Sequence, residues 1–389
     1  MPDRAPPEDG RAIEAPFLPY GRQEIADADV KAVVVALVSG WLTTGPRVSE
    51  FEKAFAAHCG AGEGVAVNSG TAALHCAMRA AGLGAGDEVI VPAITFAASA
   101  NAAVYEGGVP VFADVEHDTL LIDPASVAAK ITPRTRAIVA VDYAGQPADY
   151  DALRALARDR GIALIADACH APGATYKGRK TGTLGDITCF SFHPVKHMTT
   201  CEGGMAVTGD ADKAAHMRRF RNHGIDSDHR SREKAGAHAY DMAELGYNYR
   251  LPDVQCALGL AQLARLDGWV ARRQQVAAWY DAALAGMAEV LPLKTHKDRT
   301  HAHHLYVVTL DEHVDRDKAF ARLRAEDIGA NVHYAPVHLH SYYRKRGYKP
   351  GLAPVAEAMS KRILTLPMFP AMSQSDVARV AGALRRATA

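Results

Sequence analysis

The chain has 389 residues, and its 44 Lys and Arg balance its 44 Asp and Glu, so its formal net charge is zero. Such a chain has no global field with which to hold nucleic acid or an acidic membrane surface; an anionic ligand would need a local cluster of donors. At 48% hydrophobic residues it buries an ample core without disulfide or metal staples.

From the N-terminus, residues 1–15 are polar, charged and Pro-rich, lack the apolar segment of a signal peptide and read as a loose arm. No stretch approaches the ~20 apolar residues of a spanning helix. Short apolar runs then read as strands at 64–68, 88–92, 110–115, 136–142, 163–168, 187–192 and 205–208. Helical patterns alternate with them. One covers 71–81 with Ser69 as N-cap. A second covers 124–131 with Asp123 as N-cap and Pro124 in the first helical position. A third covers 148–160 and ends at Gly161. Val- and Ile-rich strands alternating with helices predict a mostly parallel sheet covered on both faces. Beyond Leu251-Pro252 the pattern changes: a long helix from 254 to about 285, a strand at 304–310, a helix at 317–325 and a strand at 330–334. The division read from this is a large domain over 16–253 and a smaller α+β domain over 254–389. The cysteines (59, 76, 169, 189, 201 and 256) stand singly, without a C-x-x-C pair. That spacing speaks against a zinc site or disulfide framework and fits free thiols in a reducing cytoplasm.

Five motifs carry chemistry. Asn68-Ser69-Gly70-Thr71 runs from a strand into a helix, where free amides and hydroxyls make an anion site, or simply a capped helix. It lacks G-x-G-x-x-G, so no dinucleotide fingerprint is present. Asp167 stands near the end of the strand in ALIADACHA, the place where such sheets bind ligands. A carboxylate there can pair with a pyridinium N–H, or cap a helix. Lys196, in the turn Ser191-Phe192-His193-Pro194-Val195-Lys196-His197, sits among apolar and aromatic residues; desolvation would lower its amine pKa and favour nucleophile and base roles. Gly246-Tyr247-Asn248-Tyr249-Arg250 joins polar groups to a cation, as an anion site or a domain linker. Asn331-Val332-His333-Tyr334 continues into His338 and His340. With no carboxylate or Cys among them, these histidines read as packed or substrate-facing, and no metal is expected.

In this order, together with Gly40-Trp41-Leu42-Thr43-Thr44-Gly45-Pro46, Thr95-Phe96, His170 and Glu202-Gly203-Gly204, these elements resemble the pyridoxal-phosphate-dependent nucleotide-sugar aminotransferases, the DegT/DnrJ/StrS group. The resemblance spans about 19–383. It implies an aspartate-aminotransferase-like α/β fold (fold type I) with a mostly parallel seven-stranded sheet in the large domain. It further implies that Lys196 carries pyridoxal 5′-phosphate as a Schiff base and shuttles a proton, and that Asp167 pairs with the pyridine nitrogen. Ser69, Gly70, Thr71 and Ser191 would hold the phosphate, Phe96 would stack on the ring and His170 would sit near the ring hydroxyl. Asn248 would reach the cofactor of a second subunit, making the active unit a homodimer with shared sites. Thr43, Thr44, Tyr249, Arg250 and His333 are the substrate-binding candidates.

The nearest subgroup by motif (SFHPVKH, Ala144-Gly145-Gln146-Pro147, NVHYAPVHLH, and Leu366 to Pro370) is the C4-aminotransferase of the pseudaminic-acid pathway. That implies a UDP-linked 4-keto sugar as acceptor and L-glutamate as donor; other UDP- or dTDP-linked 4-keto sugars are the alternative. Arg22, Arg221 and Arg250 are unranked candidates for the diphosphate. Three departures from the group's pattern stand out: Asp142 where His is common, Ala166 where Glu is common and Cys201 where Gly is common. The first is expected to alter a cofactor- or substrate-side contact, the others to lie behind the site. A sugar dehydratase of this fold, which replaces the lysine by histidine, and a non-catalytic regulator are rivals; Lys196 together with Asp167 and Ser191 argues against both.

Overall fold

The computed structural model describes residues 17–226, 236 and 239–389; the arm read over 1–15 lies outside them. Helices α1 (Asp27–Val38) and α2 (Pro46–Cys59) lead into β1 (Glu63–Val67), α3 (Gly70–Ala80), β2 (Glu88–Pro92), α4 (Ala98–Tyr105), β3 (Val109–Ala113) and α5 (Pro124–Lys130). There follow β4 (Thr135–Val141), α6 (Tyr150–Arg158), β5 (Ala163–Asp167), a hairpin of β6 (Thr175–Tyr176) and β7 (Arg179–Lys180), β8 (Ile187–Ser191), β9 (Gly204–Thr208) and α7 (Ala211–Phe220).

The seven runs read as strands all form strands, within two residues of the expected bounds, and they make one sheet in the order β1-β9-β8-β5-β4-β2-β3. The sheet is parallel from β3 through β8, and β9 runs antiparallel to both of its neighbours. Alternation along the strands explains the two covers. Val89, Val91, Val139, Val141 and Ile165 pack with Leu74 and Met78 of α3. Ile90, Ile138, Ala140, Leu164 and Ala166 face the other way, toward Val127, Tyr150 and Leu153. The expected caps form: the Ser69 hydroxyl accepts from Ala72 N at 3.0 Å, and Asp123 accepts from Ala125 N and Ser126 N.

The expected single helix from 254 to about 285 is two: α8 (Asp253–Leu263) and α9 (Leu266–Leu284). The break is tertiary in origin. Arg265 ion-pairs with Asp29 at the start of α1 and lies over the Trp269 ring, while Gln262 donates to the same carboxylate at 2.8 Å. α8 thereby packs on α1 and α2, and α9 turns away toward a second sheet. This antiparallel sheet joins β10 (Val290–Pro292), β11 (Tyr306–Leu310) and β12 (Ile363–Leu366). It shares a core with α9, α10 (Arg316–Ala325) and α11 (Gln374–Thr388), through Tyr280, Val308, Leu323, Leu364 and Leu384. The strand expected at 330–334 reduces to one bridge, Asn331 with Thr365. Among the described residues, no helix is long and apolar enough to cross a membrane, and all six cysteines are free thiols.

Candidate active site

The site forms where the C-terminal ends of β5 and β8 open beside the start of α3. At the α3 end, Ser69 caps the helix and leaves the amides of Gly70 and Thr71 at its first turn, where an anion finds unpaired N–H groups and the positive end of the dipole. The cradle is tight. A Cβ on Gly70 would lie 2.8 Å from the Ser191 Cβ, and one on Gly204 would lie 2.4 Å from the Ser69 carbonyl oxygen. Glycine at both positions lets the ends of β8 and β9 close under the helix start, so that the Ser191 hydroxyl stands beside Gly70.

Asp167 is the last residue of β5 and is 6% exposed. Its Oδ2 accepts from the Ser99 hydroxyl at 2.6 Å, and its Oδ1 from Cys169 N at 3.3 Å. Ser99 in turn shares a 2.7 Å hydrogen bond with Thr95. Ser99 was not singled out in the sequence: a serine in an Ala-rich helix has no local signature, and only the packing of α4 against the sheet brings it to the carboxylate.

Lys196 is half-buried in the turn after β8, where its backbone N–H donates to His193 O at 2.9 Å. Burial pushes its amine below the ordinary lysine value, further lowered by the Arg273 charge, while Cys169 and Asp167 pull it back up. Its Nζ lies 3.4 Å from His304 Nε2. Histidines 170, 197 and 304 surround it with rings 4.4 Å (170 to 304) and 5.7 Å (197 to 304) apart. Burial holds all three imidazoles well below the ordinary histidine range, and the Lys196 charge adds to it. His170 Nε2 meets the Tyr334 hydroxyl at 3.2 Å. The Phe96 ring is 59% exposed and stands 6.1 Å from that of Tyr334. Among the described residues no group of three or more His, Cys, Asp or Glu is arranged to hold a metal.

The structure gathers Ser69, Gly70, Ser191, Asp167, His170 and Lys196 at one end of the sheet, with Thr71 in the same helical turn as Gly70. The other candidates have local partners. The Thr44 hydroxyl donates to Thr43 O, and both threonines are exposed. Asn248 is exposed, and its carbonyl accepts from the Asn68 amide at 3.4 Å. Tyr249 OH lies 3.0 Å from His75 Nδ1, and Arg250 donates to Asn222 Oδ1 at 2.8 Å. His333 Nδ1 meets the Thr365 hydroxyl at 2.9 Å, and His338 pairs with Glu357 at 2.9 Å. Of the three arginines, Arg22 lines a narrow cleft with Lys196, Trp269 and Arg273. Arg221 is paired with Glu52, and Arg250 is held by Asn222.

One departure, Asp142, sits differently from expectation. Asp142 turns away from the cleft: just past β4 it is fully buried, where Oδ1 accepts from Ala148 N at 3.0 Å and from the Tyr150 hydroxyl at 2.8 Å, and Oδ2 has no partner. Burial raises its carboxyl to about 8, and the Asp167 charge adds to the rise. Cys201 has φ 66°, the left-handed region where glycine is unstrained. Ala166 is buried on the α6 side of the sheet, behind the site as expected.

A helix N-terminus with a serine beside it for phosphate, a buried carboxylate held by two donors for a pyridinium, and a desolvated lysine amine form a donor set that fits pyridoxal phosphate. The comparisons agree. The chain is 43% identical to the spore coat polysaccharide biosynthesis protein SpsC of Bacillus subtilis over 375 residues, 95% of this chain and 96% of SpsC. It superposes on Spr1654 of Streptococcus pneumoniae in its PLP form with TM-score 0.90 and 30% identity, covering 96% of this chain and 98% of the other. With PseC of Helicobacter pylori, an aminotransferase involved in pseudaminic-acid biosynthesis, the TM-score is 0.90 and the identity 29%, over 96% and 99% of the two chains. Residues 23–385 match the DegT/DnrJ/EryC1/StrS aminotransferase family, and the chain belongs to it as a pyridoxal-phosphate-dependent aminotransferase.

Proposed function

We propose that this protein is a sugar aminotransferase that moves the amino group of L-glutamate to C4 of a nucleotide-linked 4-keto-6-deoxy sugar. Within that class, the UDP-linked 2-acetamido-2,6-dideoxy-4-keto-hexose of pseudaminic-acid synthesis is the substrate we favour. The observation that carries the transfer chemistry is the half-buried Lys196 amine, depressed by burial, in the same pocket as the Asp167 carboxylate. Support for the sugar comes from the similarity to PseC and from the motifs around Lys196 and His333. The higher identity to SpsC favours a second reading, a different 4-keto sugar nucleotide destined for a surface polysaccharide.

Pyridoxal phosphate, when bound, withdraws electrons from the carbon that gains or loses the amino group. The chain supplies the rest. Asp167, held as an acceptor by Ser99 and Cys169 N, would pair with the ring nitrogen and keep it protonated. Gly70, Thr71 and Ser191 would hold the phosphate at the α3 start. Phe96 would cover one ring face, and His170 would lie toward the ring hydroxyl. Lys196, whose amine burial pushes below the ordinary lysine value, would hold the cofactor and carry the proton between the two carbons. Thr43, Thr44, Tyr249, Arg250 and His333 serve the substrate, with Arg22 as the arginine best placed for its diphosphate.

A second copy of the chain completes the unit in this reading, with Asn248 reaching the partner's cofactor. It has a surface to meet: α1 and the loop after it expose Val30, Val34, Leu37, Val38 and Leu42, with Val38 78% exposed. The division at 253/254 remains our proposal for the two domains.

The test is direct. Purified protein should be yellow, and borohydride should trap the absorbing group on Lys196, located by peptide mass spectrometry. A Lys196→Ala variant that still transaminates would sink the reading. Product analysis on a panel of UDP- and dTDP-linked 4-keto sugars decides the substrate; turnover of dTDP sugars alone would refute the favoured sugar and leave the transaminase standing.

A further inference from the structure

We propose that His304 is a positioning residue for Lys196: its neutral imidazole carries its proton on Nε2 and donates it to the lone pair of the lysine amine, selecting the uncharged amine and fixing its direction. The proposal rests on the reading of Lys196 as the reactive amine.

The geometry supports it in three steps. First, His304 Nε2 is 3.4 Å from Lys196 Nζ, and His304 Nδ1 is buried without a partner. A bare buried lone pair costs less than an orphaned N–H, so the proton belongs on Nε2. His197, one residue from Lys196, has the same arrangement: its Nε2 faces the carbonyl of Ala302 at 2.8 Å and so must donate, and its Nδ1 is likewise buried without a partner.

Second, the fold holds His304 rigidly at the lysine. Ala302 N donates to Gly145 O at 2.8 Å, and Leu305 N to Ala144 O at 3.2 Å. Gly145 has φ 114°, and a Cβ there would stand 2.8 Å from His303 N and 3.1 Å from His304 N, so the segment approaches only because this residue is glycine. From the other side the buried Arg273 guanidinium donates to the carbonyls of His303 at 3.2 Å, His304 at 3.4 Å and Met368 at 3.0 Å.

Third, the surroundings oppose a charged imidazole. Facing Lys196 are Asp167, Cys169, His170, His197, His304, His333 and Arg273; facing His304 are Lys196, His170, His197 and Arg273. Burial above all, with the Arg273 charge, keeps the His304 ring well below the ordinary histidine range, so it is neutral when it meets the amine.

The test reads Lys196 itself, in the full chain after its cofactor has been stripped. Trace labelling with acetic anhydride across pH 6 to 10.5, quantified on the Lys196 peptide by mass spectrometry, gives the midpoint at which the amine becomes reactive. His304→Phe removes the donor and should raise that midpoint by about one pH unit, since one hydrogen bond of this kind changes the ratio of neutral to charged amine about tenfold. Desolvation by the added ring works in the opposite direction, so an upward shift identifies the lost donor. His304→Gln places an amide N–H where Nε2 stands and should stay within about 0.3 of the wild type. If the Phe ring prevents folding by circular dichroism, His304→Leu takes its place. A midpoint unchanged or lowered in the donor-free variant, or a Gln variant that shifts with it, overturns the proposal. Failure to trap the cofactor on Lys196 of the untreated wild type would instead refute the cofactor reading, without touching this titration.

Discussion

Asp142 offers a quantitative test of how burial acts on this fold. Its carboxyl is completely enclosed, with Oδ1 accepting from Ala148 N and the Tyr150 hydroxyl and Oδ2 accepting from nothing. The folded value of about 8 stands above the ordinary 3.8. The folded protein therefore keeps a proton that the unfolded chain releases. The stability this contributes is fully present below the unfolded value and is lost as pH rises through the folded one. Between those limits the slope is about 1.4 kcal/mol per pH unit, or about 3 kcal/mol from pH 5.5 to 7.5. For a chain of this length, an unfolding entropy of about 2.1 cal/mol/K per residue converts 1 kcal/mol into about 1.2 °C of melting temperature. Asp142→Asn keeps the Oδ1 acceptor and removes the titration, while leaving amide N–H groups unpaired, a pH-independent cost of about 1–3 kcal/mol. The variant should therefore melt below the wild type at pH 5.5, and the gap should close or reverse by about 3 °C at pH 7.5. The assay is differential scanning fluorimetry of both proteins, saturated with cofactor, at half-unit pH steps. A gap that stays constant across this range would refute the claim that Asp142 is held protonated.

Two further predictions follow from the site and its turn. Ser99→Ala leaves Asp167 with the single 3.3 Å donor of Cys169 N; losing a hydrogen bond to a charged group costs about 1.5–3 kcal/mol, so cofactor affinity should fall at least about tenfold in a fluorescence titration, and a change under twofold would count against the pairing role of Asp167. Cys201→Gly relieves a left-handed residue at φ 66°; the strain of about 1–2 kcal/mol exceeds the extra chain entropy of glycine, so the melting temperature should rise by about 1 °C, and a fall would show that the Cys201 side chain contributes more than its backbone strain costs.

The sequence alone determined what local rules govern. Val- and Ile-rich runs become strands because their side chains suit both faces of a covered sheet, and Ser69 and Asp123 start helices because their oxygens satisfy amides two or three residues on. Lys196 alone is a weak signal in the sequence; it stands out through its company, Asp167 at a strand end, Ser69 to Thr71 at a helix start, and Ser191. The tertiary structure decided what depends on distant partners. The break between α8 and α9 follows from Asp29, more than 230 residues away. The failure of 330–334 to form a strand follows from pairing with β12 at one residue only. Asp142 turns into the core because Tyr150 and Ala148 offer it donors there, and Ser99 reaches Asp167 because α4 packs where it does. His304 meets Lys196 only because Gly145 admits the segment that carries it. A pattern within one segment reports the preferences of that segment. Which side chains share a pocket is set by contacts between segments, and those exist only once the chain has folded.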